Sequence, residues 1–322
     1  MTASAYWLAA PGRGEIRSEP LASPGEGEVQ VRAVVSAISR GTEALVFRGH
    51  VPESQFDAMR CPFQAGSFPA PVKYGYASVG TVAQGSADWR GRRIFCLHPH
   101  QDRYCVPLDA VVPVPDDVPS DRAALAANME TAVNALWDAP PPVGGHIAVV
   151  GAGVVGGLVA ALAGQVAGAR VQLVDIDPAR RSLAEAFGLH FALPRDAETG
   201  ADLVFHASGT ATGLATALSL AGTEARIIEL SWYGSEPVAA PLGDAFHARR
   251  LTLAASQVGT VAPLQRPRWS RARRLALALD LLRDSRYDAL LTGESAFADL
   301  PATLARLADR PDGVLCHLVR YP

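Results

Sequence analysis

Residues 149–175 constrain the fold of this chain more than any other segment. They read Val149-Val150-Gly151-Ala152-Gly153-Val154-Val155-Gly156, continue as an apolar run, and end in Val171-Gln172-Leu173-Val174-Asp175. This order predicts a short strand, a G-x-G-x-x-G turn, a helix and a second strand that ends in an acid. A unit of this kind is typical of dinucleotide-binding proteins.

Each glycine of the turn has a separate physical purpose in such a unit. Gly151 permits the tight turn, Gly153 lets the backbone approach a pyrophosphate, and Gly156 lets helix and strand pack closely. Val154 and Val155 open the helix, whose N-terminus offers free N–H groups and a positive dipole end to phosphates. We therefore expect residues 151–156 to bind the cofactor.

The same region could be interpreted as a membrane span, because residues 147–169 carry no charge. Six glycines in that window and the acid-tipped strand after it favour the strand–turn–helix interpretation instead. We expect no membrane association.

Length, charge and cysteine usage limit the possible classes. A chain of 322 residues predicts two domains, and its formal charge of −3 gives no basic field for nucleic acid. The four cysteines form no C-x-x-C pair, and the N-terminus lacks a secretory pattern. These features favour a reducing, cytoplasmic location.

The pattern of strands and helices changes along the chain. Residues 1–115 show short strands separated by Pro and Gly clusters, as in a β-barrel-like domain. A helix is predicted over 120–137. From His146 strands and helices alternate, which predicts a parallel sheet, and a strand over 314–319 follows helices over 271–283 and 300–308.

This arrangement resembles the medium-chain dehydrogenase/reductase superfamily over nearly the whole chain. The resemblance implies an α/β protein: a GroES-like β-barrel catalytic domain (1–121, completed by 265–322) and a Rossmann domain with a doubly wound parallel sheet (122–264). It also implies a homodimer acting on a small-molecule substrate.

The departures from the zinc-dependent members concern the metal ligands. Ser39 stands in place of the first ligand cysteine, Tyr76 in place of the histidine, and Ala77 in place of the adjacent glutamate. The third ligand would fall near Ala127, where Glu130 would stand alone. Catalytic zinc needs three protein ligands, so we expect a zinc-independent enzyme with no metal.

Two phrases point to one branch of the superfamily. Residues 36–43 (Ser-Ala-Ile-Ser-Arg-Gly-Thr-Glu) and 75–80 (Gly-Tyr-Ala-Ser-Val-Gly) resemble the branch that contains the bacteriochlorophyllide a dehydrogenases. Those enzymes oxidise a hydroxyethyl side chain to an acetyl group with NAD, and the branch also contains many uncharacterised relatives.

The acid at the end of the second strand predicts the cofactor. Asp175 favours NAD, because a 2′-phosphate beside its carboxylate would make a like-charge pair. Arg180 occupies the position where NAD-linked relatives place a basic residue against the adenosine ribose, although Arg180 and Arg181 could clamp a 2′-phosphate and leave NADP open. The resemblance further implies cofactor contacts from Thr131, Ser208 and Ser231.

Candidate catalytic residues lie at or near the positions that hold the metal ligands in the zinc-dependent members. Thr42 matches the hydroxyl that contacts the reacting oxygen in zinc-dependent relatives, and Tyr76 is predicted to bind that oxygen together with Thr42 and Ser39. Tyr76 could instead be a packing residue that fills the vacated metal site. Lys73, the only lysine, could supply a cation that lowers the Tyr76 pKa, although residues 73 and 76 of one strand face opposite sides.

Two further residues are candidates for substrate contacts. His100 could donate a hydrogen bond or shuttle a proton, or be an ordinary loop histidine. Trp232, with Tyr233, could stack on a flat substrate or cap the core. A metal at Cys96, His98, His100 and Cys105 fits no standard zinc spacing.

The sequence thus predicts an NAD-linked oxidoreductase that interconverts a secondary alcohol and a ketone on a small or cyclic substrate. An NADPH-dependent enone or quinone reductase is the alternative enzyme. A catalytically silent nucleotide-binding sensor is the alternative of another class.

Overall fold

The computed structural model describes residues 1–310 and 313–322. Its strands follow in chain order: β1 (Thr2–Ala10), β2 (Arg13–Pro20), β3 (Glu28–Ile38), β4 (Ala65–Gly66), β5 (Val72–Lys73), β6 (Ser78–Gln84), β7 (Arg93–Cys96), β8 (Arg103–Pro107), β9 (Val111–Pro113), β10 (His146–Val150), β11 (Arg170–Val174), β12 (His190–Ala192), β13 (Ala201–His206), β14 (Ala221–Glu229), β15 (Thr252–Ala255), β16 (Leu291–Ala296) and β17 (Cys316–Arg320). The helices are α1 (Arg40–Phe47), α2 (Ser120–Ala123), α3 (Ala126–Asp138), α4 (Val154–Ala163), α5 (Arg181–Phe187), α6 (Ala211–Leu220), α7 (Arg271–Leu281) and α8 (Leu300–Asp309).

The chain divides into two compact units. Unit 1 contains Met1–Ala127, Leu275–Ser285 and Leu291–Pro322, whereas unit 2 contains Asn128–Arg274 and Arg286–Leu290. Whether they serve as a catalytic and a nucleotide-binding domain is part of the proposal below.

Unit 2 is built on a six-stranded parallel sheet. Its strand order is β12-β11-β10-β13-β14-β15, the order of a doubly wound Rossmann sheet. All five residues of β10 are buried, as expected for a central parallel strand that is covered on both faces. The carboxyl ends of these strands therefore form one edge, where ligands of such sheets bind.

The apolar segment considered as a membrane span is a strand and a short helix. It contributes β10 and α4, and α4 is only 10 residues long. Helix α4 is apolar on nearly all sides because it is buried within unit 2. Among the helices of the described residues, none has the length and apolar character needed to cross a bilayer.

Unit 1 contains two sheets with mainly antiparallel pairing. The larger has the order β16-β17-β3-β6-β7-β9, with β8 also paired to β3, and the smaller has the order β2-β1-β5-β4. Strand β3 is central, pairing antiparallel with β17, β6 and β8. The separate antiparallel unit and the parallel Rossmann sheet confirm the predicted α/β class.

Some element bounds differ from those expected. The helix predicted over 120–137 is two helices, α2 and α3, and the last strand lies at Cys316–Arg320 rather than 314–319. Residues 40–47, for which the sequence pattern predicted no element, form α1. That helix matters because it carries Thr42 and Glu43.

A buried arginine organises part of unit 2. The Arg274 side chain is 1% exposed, and its Nε lies 2.9 Å from Glu130 Oε1. Its remaining nitrogens donate to the Asn134 side chain and to the backbone carbonyls of Val258 and Thr260. One guanidinium therefore joins α3 to the segment after β15.

We predict that Arg274→Met lowers the free energy of unfolding by about 3–5 kcal/mol, because it leaves the Glu130 carboxylate buried without its partner. Arg271→Met, at an exposed position of the same helix, is the control and should change it by about 0.5 kcal/mol or less. Urea unfolding of both variants is the measurement. Equal stability of the two would show that Arg274 is dispensable.

Candidate functional site

The glycine turn forms a cradle that side chains would fill. Gly151 has a φ of +107°, and a Cβ there would lie 2.6 Å from the Ser208 backbone nitrogen. A Cβ on Gly156 would lie 1.8 Å from the Gly151 carbonyl oxygen. A Cβ on Gly153, the residue before α4, would meet nothing within 4 Å, so the cradle is open there. This geometry suits a phosphate group at the N-terminus of α4.

The carboxylate after β11 fixes the backbone beside this cradle. Asp175 Oδ2 accepts from Ala152 N at 2.7 Å, and Oδ1 accepts from Asp177 N at 2.9 Å. Arg180 lies 3.4 Å from Asp177 Oδ2 through its Nε. Val154 and Val155 are partly exposed at the start of α4.

A polar network joins the carboxyl ends of β13 and β14. His206 Nε2 lies 2.6 Å from Ser208 Oγ, and His206 Nδ1 lies 2.7 Å from Glu229 Oε2. Ser231 N donates to Glu229 Oε1 at 2.7 Å, and Tyr233 OH donates to Oε2 at 2.9 Å. Burial alone would raise the pKa of Glu229, but the hydrogen bonds and charge of His206, together with Ser231, outweigh it and leave that pKa lowered.

Two other residues predicted to contact the cofactor or the substrate are partly exposed. Thr131 is partly exposed on α3, and Trp232 is partly exposed after β14. The Tyr233 hydroxyl donates to Glu229, while stacking of its ring on a ligand stays a prediction. The structure therefore brings Ser208 and Ser231 together, because Gly209 N also donates to Ser231 Oγ at 3.0 Å.

In unit 1 the predicted hydroxyl groups meet. Side-chain hydrogen bonding with Ser39 and Thr42 lowers the pKa of Tyr76. Burial, and then the charge of Glu43, raise the pKa of Tyr76 to about 12, and the two hydroxyl groups only partly offset this. The phenol is therefore protonated at neutral pH and can donate a hydrogen bond.

A buried carboxylate–histidine pair supports this cluster. Glu43 Oε2 lies 2.8 Å from His100 Nε2, and Glu43 Oε1 accepts from Ser39 N at 2.8 Å. His100 Nδ1 lies 2.7 Å from Ser36 Oγ, which lies 3.0 Å from Tyr321 OH. The side chains of Glu43 and His100 are 5% and 1% exposed. His100 therefore belongs to a buried chain of polar groups and is not the cleft residue expected from the sequence.

Room for the His100 ring depends on Gly75. This glycine has a φ of +130°, and a Cβ there would lie 2.9 Å from His100 Cδ2. Any larger residue would push the imidazole away from Glu43.

Lys73 does not supply a cation to Tyr76. Its ammonium lies 2.8 Å from Glu19 Oε2 and 2.9 Å from Gln101 Oε1. The prediction that Lys73 lowers the Tyr76 pKa is therefore wrong, because the Lys73 ammonium forms a salt bridge with Glu19 of β2.

The unit 1 positions at which the resemblance expects zinc ligands lack the usual donor groups. Ser39, Tyr76 and Ala77 provide no thiolate, imidazole or carboxylate, and Glu130 is paired with Arg274 in unit 2. No group of three or more His, Cys, Asp or Glu side chains among the described residues is arranged to hold a metal ion.

Burial is the largest influence on the pKa values of the cysteines and His98. Burial raises the pKa of the Cys61, Cys96 and Cys316 thiols to about 12, and also raises the pKa of the more exposed Cys105. His98 stacks on Tyr104 with ring centroids 3.7 Å apart, and burial lowers its pKa to about 3.

Several residues of these networks were not assigned a role by the sequence analysis. They are Ser36, Glu43, His206, Glu229 and Tyr321. Two signals in the sequence could have found them. His206 ends the mostly apolar strand β13, and Glu43 is an acid in the largely buried helix α1.

Comparisons with known proteins place this arrangement in context. No protein-family profile matches the chain. L-threonine 3-dehydrogenase of Rhizobium rhizogenes is 32% identical over 118 residues, 37% of this chain and 34% of the relative. The match therefore spans about a third of that relative's length. An uncharacterised zinc-type alcohol dehydrogenase-like protein of Haemophilus influenzae is 28% identical over 224 residues, 65% of this chain and 61% of the relative.

Solved structures match over almost the entire chain. L-idonate 5-dehydrogenase of Escherichia coli has a TM-score of 0.79 at 14% identity, with 99% of this chain and 98% of that chain covered. An E. coli alcohol dehydrogenase solved with NADH scores 0.78 at 16% identity, with 99% of both chains covered. A candidate zinc-binding dehydrogenase of Sinorhizobium meliloti solved with NADP scores 0.77 at 18% identity, with 99% of both chains covered. The chain therefore has the same fold as these solved dehydrogenases.

The contribution of the network of His206 and Glu229 to the stability of this fold can be tested. We predict that Glu229→Gln lowers the free energy of unfolding by about 2 kcal/mol, because three donors lose a charged acceptor. Glu224→Gln on the same strand should change it by about 0.5 kcal/mol or less, since Glu224 forms an exposed pair with Arg250. Thermal and urea unfolding provide the measurement, and a Glu229 variant as stable as the control would contradict the prediction.

Proposed function

We propose that the chain is a zinc-independent oxidoreductase that interconverts a secondary alcohol and a ketone with NAD(H). The observation that carries the proposal is the cluster of Tyr76, Ser39 and Thr42, three hydroxyl groups at the positions where the resemblance expects metal ligands and the reacting oxygen. The likeness of the chain to alcohol and threonine dehydrogenases supports an oxidoreductase.

The turn of unit 2 fits a nicotinamide dinucleotide. The backbone of residues 151–156 would hold the pyrophosphate at the N-terminus of α4, because its glycines leave no side chain in the cradle. Asp175 would accept hydrogen bonds from the adenosine ribose, with Arg180 paired to the neighbouring Asp177. Bound NAD(H) would supply or accept the hydride. Fold relatives solved with NADH and with NADP support this type of cofactor.

Tyr76 would control the charge on the substrate oxygen. During ketone reduction negative charge develops on that oxygen, which becomes an alkoxide. The conjugate acid of an alkoxide is about as weak as water, with a pKa of roughly 16. A phenol with a pKa of about 12 is a stronger acid and can therefore transfer its proton to the alkoxide. Ser39 and Thr42 hold the phenol in place by hydrogen bonds. The cluster is therefore better suited to donate a proton to the product of reduction than to remove one from an alcohol at neutral pH.

Glu43 would keep Tyr76 in its acidic form. Its carboxylate raises the Tyr76 pKa after burial has done so, and His100 holds that carboxylate at 2.8 Å. The Glu43–His100 pair thus acts on the substrate only through the phenol.

The substrate and assembly follow from the resemblance to the bacteriochlorophyllide dehydrogenase branch. We propose a small or cyclic substrate. A homodimer and a cytoplasmic location complete the proposal. A screen of cyclic secondary alcohols against quinones distinguishes alcohol oxidation from quinone reduction, and nucleotide binding without turnover would favour a sensor.

We predict that the chain binds NADH at least about tenfold more tightly than NADPH, because the 2′-phosphate would approach the Asp175 carboxylate. Asp175→Asn should reduce this preference, whereas Asp196→Asn, an exposed acid of the same unit, should leave it unchanged. Fluorescence titration with both cofactors is the measurement. Equal affinity of the wild-type chain for the two would refute the NAD assignment.

We predict that Tyr76→Phe lowers kcat for ketone reduction by about a hundredfold or more, because the general acid is lost. Tyr74→Phe removes a neighbouring buried phenol and should keep kcat within about threefold of wild type, since Tyr74 has no proposed part in the chemistry. Steady-state kinetics with matched substrate and cofactor concentrations compare the two variants.

The pH dependence offers an independent readout of the same residue. Because the Tyr76 pKa is raised to about 12, the acid form persists and reduction should be independent of pH between about 6 and 10. Oxidation needs the base form and should rise about tenfold per pH unit over that range. A bell-shaped optimum near neutrality in both directions, or an unchanged kcat in Tyr76→Phe, would remove Tyr76 from the chemistry.

A further inference from the structure

Two arginines face each other on an exposed part of the larger sheet in unit 1. The register of β3 and β8 places Arg32 directly opposite Arg103, and both residues are exposed. Like charges at opposite positions of an antiparallel pair destabilise a sheet. The fold therefore tolerates a local repulsion that a neutral residue at either position would remove.

The two side chains also lack a counter-charge. Among residues 1–310 and 313–322, no carboxylate forms a salt bridge with Arg32 or Arg103. By contrast, Arg320 of the same unit is paired with both Asp121 and Glu294. The Arg32–Arg103 pair is thus an unneutralised positive site.

The pair lines a cavity of about 340 Å³. The cavity is lined by Met1, Gln30, Arg32, Thr81, Ala83 and Arg103. Gln30 is 4% exposed, and its amide nitrogen lies 3.9 Å from Cys105 Sγ. Two arginines, a glutamine and a threonine therefore line one small space, and all four side chains carry hydrogen-bond donors.

We propose that this cavity, defined here as the Arg32–Arg103 site, binds a small multivalent oxyanion of the phosphate type. Guanidinium groups recognise such anions through paired, charge-assisted hydrogen bonds, and an anion between the two would turn their repulsion into attraction. The volume is at the lower end of the range for small-molecule sites, which favours a compact anion. The site lies in unit 1 and is separate from the glycine turn of unit 2.

Isothermal titration with inorganic pyrophosphate tests the proposal on the full chain at constant ionic strength, since screening weakens exposed charge interactions. The variants are Arg32→Gln/Arg103→Gln and, as a matched control, Arg13→Gln. Arg13 is an exposed strand arginine of unit 1 outside the cavity. Because pyrophosphate can also occupy the glycine turn, the informative quantity is the binding that the double variant loses and the control keeps.

We expect the wild-type chain and Arg13→Gln to bind pyrophosphate with the same saturable component. In the double variant the affinity of that component should be at least tenfold lower. The affinity for NADH should be the same in all three proteins. In anion-free buffer the double variant should melt about 1–3 °C higher, because the repulsion is gone. Pyrophosphate isotherms that are identical in the wild-type and double-variant chains would overturn the proposal. A lower melting temperature of the anion-free double variant would do the same. Failure of NADH to bind any of the three would instead count against the proposed function.

Discussion

The burial of the Glu43 carboxylate is the constraint on which the arrangement of unit 1 depends. A charge with 5% of its side chain exposed must be satisfied on both oxygens, and His100 and the Ser39 backbone do so. These two contacts tie the start of α1 to the segment between β7 and β8, and Ser36 and Tyr321 extend the chain of polar groups to β3 and the C-terminus. Because α1 also carries Thr42, the position of the hydroxyl cluster follows from where this charge is neutralised.

Unit 2 uses the same physical solution at the edge of its sheet. Glu229 accepts a hydrogen bond from a backbone N–H and lies against His206. Glu43 of unit 1 likewise accepts from a backbone N–H and lies against His100. In both cases a tyrosine is close to the carboxylate, but the outcomes differ. Tyr233 donates a hydrogen bond directly to Glu229. The charge of Glu43 raises the pKa of Tyr76 without a direct hydrogen bond, so the Tyr76 hydroxyl is not engaged by that carboxylate. A carboxylate–histidine pair can therefore serve as a structural joint in one unit and tune an acid in the other.

The sequence was informative where local chemistry alone determines the structure. The turn at 151–156 was predictable because only glycine fits at Gly151 and Gly156, and alternation of strands and helices predicted the parallel sheet. The His100–Glu43 contact was not predictable, since it joins residues 57 positions apart whose approach depends on the tertiary fold. Lys73 failed as a candidate for the same reason, because Glu19, its partner, lies 54 positions away. Rules based on spacing detect turns and strands, but they do not detect which distant group neutralises a charge.

The four cysteines have a practical consequence for handling the chain. Three are buried thiols whose pKa of about 12 leaves almost no thiolate at neutral pH, so they react slowly with alkylating reagents and peroxides. Cys105 is the most accessible, and it contacts Gln30, a lining residue of the Arg32–Arg103 site. Cys105 is thus the preferred attachment point for a fluorophore or spin label. A label there would lie close enough to the Arg32–Arg103 site for an anion bound in that cavity to change the signal of the label.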